Sequence, residues 1–169
     1  MKKLTIILFA LLIPFVGMAQ EEDAISKFLG KYVNDEDFST VYITKRMFRL
    51  IAQIADDPDE KEFEETINKI ESFCILSTEK RKGRELYQEI ASKLPMKEYE
   101  ELMIIREGKD LTKFLIKETK EGKILELLML SGSENKFSIL SMTGEINLDQ
   151  ISKLSKKMEI DGLDKLKGK

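Results

Sequence analysis

The chain has no histidine, no tryptophan, one cysteine and three prolines among 169 residues. Without histidine there is no Ser-His-Asp or Cys-His nucleophile set, no base with an unperturbed neutral pKa, and few of the usual zinc ligand sets. Without tryptophan, and with aromatic residues at 8%, a stacking platform for sugars or bases is poorly supplied. A single cysteine, Cys74, excludes an intrachain disulfide. No glycine-rich phosphate loop is present. There is also no excess of positive charge: 28 basic residues stand against 31 acidic ones. That balance lacks the basic footprint of a nucleic-acid binder and offers no attraction to anionic lipid.

What is present begins with an export-like N-terminus. Lys2 and Lys3 precede an almost wholly apolar run, Leu4–Val16, and then Gly17-Met18-Ala19. Basic start, apolar middle and small residues before a cut are the secretory-signal pattern. The run is shorter than the roughly 20 residues a membrane span needs. We therefore expect residues 1–19 to be a signal peptide cleaved after Ala19, with no integral membrane segment left afterwards and a periplasmic or secreted product. No cysteine near the cut provides for a lipid anchor. Cleavage removes two lysines and no acid, leaving a net charge of −5. The remaining chain interleaves charged and apolar positions, as one ordered domain does.

The most patterned stretch is Tyr99–Met142. It reads as four short strands separated by the polar, glycine-bearing turns Glu107–Asp110, Lys120–Lys123 and Ser131–Asn135. Glycine between apolar runs is the hairpin signature. Its third strand is apolar from Ile124 to Leu130 apart from Glu126, which fits a central strand covered on both faces, or a helix; the flanking glycines favour a strand. Thr143-Gly144-Glu145 is then read as a turn, before a last helix set by Leu148, Ile151, Leu154 and Met158 and capped by Asn147.

Upstream, Ile25, Phe28, Leu29, Tyr32 and Val33 define one helical stripe. Phe38–Ile43 is a short strand, Lys45–Ala55 a helix with a wide apolar surface, and Ser72–Ser77 a buried strand. Leu86, Tyr87, Ile90, Ala91 and Leu94 line a helix that Pro95 stops. The element order is α-β-α-α-β-α-β-β-β-β-α.

Several residues invite chemical readings that local structure explains better. Asp56-Asp57-Pro58-Asp59-Glu60 has clustered carboxylates, but Asp57 before Pro58 with Glu60 beyond is a helix start, and Phe63, Ile67 and Ile70 supply the stripe that follows. Cys74 sits in an apolar strand, where it serves as a small core side chain. Lys80-Arg81-Lys82 reads as a solvated loop. Ser131-Gly132-Ser133 lacks the glycine on both sides of serine that a nucleophile elbow needs. Met47, Met103, Met129, Met142 and Met158 fall on apolar faces and read as packing. We accordingly expect no catalytic, cofactor-binding or metal-binding residue, and no cofactor.

Val41-Tyr42-Ile43-Thr44-Lys45-Arg46-Met47-Phe48, with Gly144-Glu145-Ile146-Asn147-Leu148 leading into a leucine-spaced helix, resembles the family catalogued as domain of unknown function 4252. The resemblance implies small exported proteins of Bacteroidota-type bacteria and no assigned activity. It supplies no site residues.

The sequence thus predicts one α+β domain over residues 20–160 and a polar tail over 161–169. The sheet is largely antiparallel, with about five or six strands and helices mostly on one face. The expected function is a non-enzymatic module that binds a protein or an envelope component. The alternatives are a carrier of a small apolar ligand held between sheet and helices, and a hydrolase using carboxylates or a Ser-Lys pair. Lys136–Met142 is read as an edge strand open to association, which makes Ile139→Pro a variant that loses a partner but still folds.

Overall fold

The structure is a computed structural model and describes residues 30–54, 61–148 and 150–151. The signal-like segment, most of the first stripe, the Asp56–Glu60 cap, and the residues beyond 151 lie outside the described residues.

Strand β1 (Ser39–Thr44) runs directly into α1 (Lys45–Ile54). Helix α2 (Lys61–Lys69) runs directly into β2 (Ile70–Thr78), and α3 (Gly83–Lys93) follows. A 3₁₀ turn, Met96–Glu98, leads to β3 (Glu100–Glu107), β4 (Asp110–Glu118), β5 (Ile124–Gly132) and β6 (Phe137–Ile146). All six strands form one sheet in the order β1-β2-β6-β5-β4-β3, and every neighbouring pair is antiparallel. The last four strands are the expected meander. Strands β1 and β2 join it through β6. The chain is α+β, and no helix among the described residues is long and apolar enough to cross a membrane.

Strand alternation divides the apolar residues between two cores. On one face Phe73, Phe114, Leu127, Met129, Leu140 and Met142 pack beneath Phe48 and Ala52 of α1, Ile67 of α2, and Ile151. On the other, Cys74, Leu76, Leu115, Leu128, Leu130 and Ile139 pack beneath Leu86 and Ile90 of α3, with Leu94 and Tyr32. The continuous run in β5 follows from this arrangement, because both of its faces are covered. Each such side chain contributes roughly 1.5–3 kcal/mol through burial.

Three expectations change. First, Lys136–Met142 is not an edge. Strand β6 pairs with β2 and β5 along its length, and Ile139 is fully buried between Leu76 and Leu130. The edges are β1 and β3. Second, Thr143-Gly144-Glu145 does not turn the chain. Strand β6 continues to Ile146, and the ladders slip beside it between Ile70 and Ser72 and between Ile124 and Glu126. Those irregularities absorb an extra residue in a bulge instead of reversing direction. Gly144 has φ 130°, and a Cβ there would lie 2.2 Å from the Lys69 carbonyl oxygen. Third, Gly132 does not serve the turn. It is the last residue of β5, where a Cβ would fall 2.6 Å from Cβ of Tyr87. It lets α3 lie against the sheet, and Gly83 does the same from the helix side.

Gly83 is buried at the start of α3, and its N–H donates to the Glu134 carbonyl at 3.1 Å. A Cβ at Gly83 would lie 2.0 Å from the Lys136 carbonyl oxygen. Backbone cannot yield there as a flexible side chain would. Gly83→Ala is expected to lower stability by about 2–3 kcal/mol in urea unfolding; an unchanged midpoint would show that α3 does not dock this closely.

Candidate functional site

Three features of the described surface and interior carry polar or exposed groups that the two cores do not explain.

The first is the β1 edge. Among the described residues β1 has one strand neighbour, β2, so the other side of its backbone is unpaired. Its sequence, STVYIT, carries no charge. Val41 is 45% exposed and Tyr42 57%. Helix α1, continuous with β1, leaves Met47 and Leu50 about half exposed. This corrects the reading of Met47 as packing. The apolar surface of α1 is wider than the stripe it buries through Phe48 and Ala52. The opposite edge differs. Strand β3 carries Glu100, Glu101, Arg106 and Glu107 among its eight residues, the charges by which sheet edges resist pairing.

Thr40 adds a local cost at this edge. Its Oγ1 is buried without a hydrogen-bond partner among the described residues. Thr40→Val keeps the shape and removes the orphaned hydroxyl. It is expected to stabilise the domain by about 1 kcal/mol in chemical unfolding. A loss of stability would mean that the hydroxyl finds a partner in solution.

The second feature anchors the approach to β1. Arg81 Nη2 donates to Asp35 Oδ2 at 2.7 Å, and its Nε donates to Asp37 Oδ2 at 3.1 Å. Its guanidinium also lies 5.3 Å from the Phe38 ring centroid, and Phe38 packs against Tyr32. The Asp37 hydrogen bond is the main reason the guanidinium pKa is raised further. The basic run is therefore paired rather than merely solvated: Lys80 reaches Asp37, and Lys82 reaches Glu85. On α3 the Glu89 carboxyl is held below its ordinary range by hydrogen bonds from Lys93 and then Lys31.

The third feature is interior. Glu126, the lone acid in the apolar run of β5, is 5% exposed. It accepts from the Tyr99 hydroxyl at 2.8 Å and from the Ser141 hydroxyl at 3.0 Å. Ser141 lies opposite Cys74 in the ladder, and two residues along, Ser72 Oγ and Thr143 Oγ1 are 2.7 Å apart. Lys117 pairs with Glu98 beside this group at 2.9 Å. Sequence reasoning passed over Glu126, although an acid interrupting six apolar residues was its signal. A nucleophile must reach its substrate, and Ser141 is 2% exposed. As placed, the cluster satisfies buried hydrogen-bonding groups and ties the segment before β3 to β5 and β6.

The other residues weighed from sequence fall into ordinary roles. Cys74 is buried among the α3-side core. Ser131 bonds Thr112 across the ladder at 2.8 Å, and Ser133 closes the turn to Lys136. Met129 and Met142 are core, and Met103 packs against it.

No curated protein and no solved structure matches the chain significantly. One family model does, over residues 32–154, from the tyrosine under α3 through every described strand. That span contains the whole described sheet, so the chain belongs to the family described as Domain of unknown function (DUF4252).

Proposed function

We propose that this domain is a non-enzymatic interaction module of the cell envelope. It is exported by its N-terminal segment and binds a protein or an envelope component through the β1 edge. The observation that carries the reading is the uncharged strand Ser39–Thr44, with Val41 and Tyr42 exposed on it. An unpaired strand edge offers a ladder of backbone donors and acceptors, and flanking apolar side chains give it selectivity. The carrier alternative has less support, because apolar side chains of the described residues pack against one another between sheet and helices on both faces. The hydrolase alternative has as its best candidate the Glu126 cluster, whose serine is buried.

The test is retention of envelope components on the immobilised protein, compared with a Tyr42→Lys variant. The proposal expects saturable retention by the wild type and its loss in the variant. Equal retention by both, or none by either, would refute it.

A further inference from the structure

We propose that the occupant of the β1 edge is a second copy of this chain. The two β1 strands pair antiparallel about a dyad at Val41, giving one continuous sheet across two protomers. This rests on the reading of β1 as the interaction edge and names its partner.

Charge and register favour a second copy at this edge. A dyad perpendicular to the sheet pairs residues of equal parity. Centred on Val41, it sets Val41 against Val41 of the other protomer, Thr40 against Tyr42 and Ser39 against Ile43. No charged residue lies within the paired strands. Charge does lie at both ends, and with opposite sign. Asp35 and Asp37 before β1 are already held by Arg81, and Lys45 by Glu71, which leaves Glu36 at one end and Arg46 and Arg49 at the other. Antiparallel pairing brings the acidic end of one protomer to the basic end of the other. Beyond the ends of the paired strands, the Val41 register leaves Glu36 on the same side as Arg46 of the other protomer. Parallel pairing would set like charge on like, which opposed pairs resist. Glu36 and Arg46 are both exposed.

The same dyad keeps the two α1 helices on one face of the joined sheet. Their half-exposed Met47 and Leu50 then flank the seam. Strand β3, with four charged residues among its eight, stays outermost.

The experiment uses the protein as it accumulates in cells. Sedimentation equilibrium is expected to show a dimer at micromolar concentration. Opposed Cα atoms in an antiparallel pair lie about 4.5–5.5 Å apart, within disulfide reach. Val41→Cys should therefore oxidise to a covalent dimer, while Ile104→Cys on β3 should not. Val41→Lys sets two ammonium groups together at the dyad and should yield monomer whose far-UV circular dichroism matches wild type. Glu36→Lys should weaken dimerisation about tenfold, and adding Arg46→Glu should restore it, because reversed charges again complement.

Three results would overturn the proposal: a monomer at all concentrations, cross-linking equal at both edges, or a dimer indifferent to Val41→Lys. Amide exchange then separates this failure from that of the broader reading. If the β1 amides that face away from β2 become protected in the monomer only when an envelope fraction is added, self-pairing falls and the edge still binds a foreign partner. If they exchange freely with and without it, both readings fall.

Discussion

Ile139→Pro is expected to leave no folded protein. Ile139 is fully buried in β6 and stands between Leu76 of β2 and Leu130 of β5. Proline removes a ladder donor from a strand paired on both sides, and its ring displaces a packed side chain. The lost bond, the orphaned acceptor and the lost packing together cost on the order of 5 kcal/mol or more. That is comparable with the whole stability of an ordinary domain. Far-UV circular dichroism and soluble yield check it, with Ile139→Val as a control that should cost only about 1 kcal/mol. A folded Ile139→Pro protein would mean that β6 is not central, and would return it to the edge role expected from sequence. The position of one strand in the sheet thus turns the same substitution from an association probe into a folding probe.

Glu126→Ala is expected to cost about 3 kcal/mol, measured as a fall in the urea midpoint with unchanged slope. The carboxylate accepts two hydroxyl hydrogen bonds, from Tyr99 and Ser141. Its removal leaves both hydroxyls short of an acceptor and opens a void beside them. Tyr99→Phe and Ser141→Ala should each cost about 1–2 kcal/mol. Each should cost markedly less in the Glu126→Ala background, since the acceptor is already gone. Glu126→Gln keeps an acceptor oxygen and should cost no more than about 1 kcal/mol. Additive losses across the cycle would show that these side chains do not act as one network. A Glu126→Gln protein that folds normally yet loses binding or activity would move the cluster from architecture to function.

Much of the architecture was legible in the residues. The runs that alternate or pack on both sides around Gly108 and Gly122 became β3, β4 and β5 within a few residues of their expected limits. Leu86, Ile90 and Leu94 spaced themselves along α3, and Pro95 stopped it. These signals are local, because period and turn chemistry depend on neighbours a few positions away.

The candidate site was not legible in the same way. Val41 and Tyr42 read as ordinary strand residues, and nothing in their spelling says that, among the described residues, one side of β1 lacks a neighbour. Gly132 read as a turn glycine because the tyrosine that needs its missing Cβ is 45 residues earlier in the chain. Glu126 read as an interruption because its partners, Tyr99 and Ser141, come from other strands and loops.

The sequence by itself marked most of the described strands and helices, ruled out histidine chemistry, and left a chain with two apolar periodicities to satisfy. The tertiary structure decided which strand lies at the rim, which glycines admit a helix, and which hydroxyls meet a carboxylate. The physical reason is range. Backbone preference and amphipathic period act between near neighbours, whereas strand order and buried pairing arise only when distant segments share one sheet.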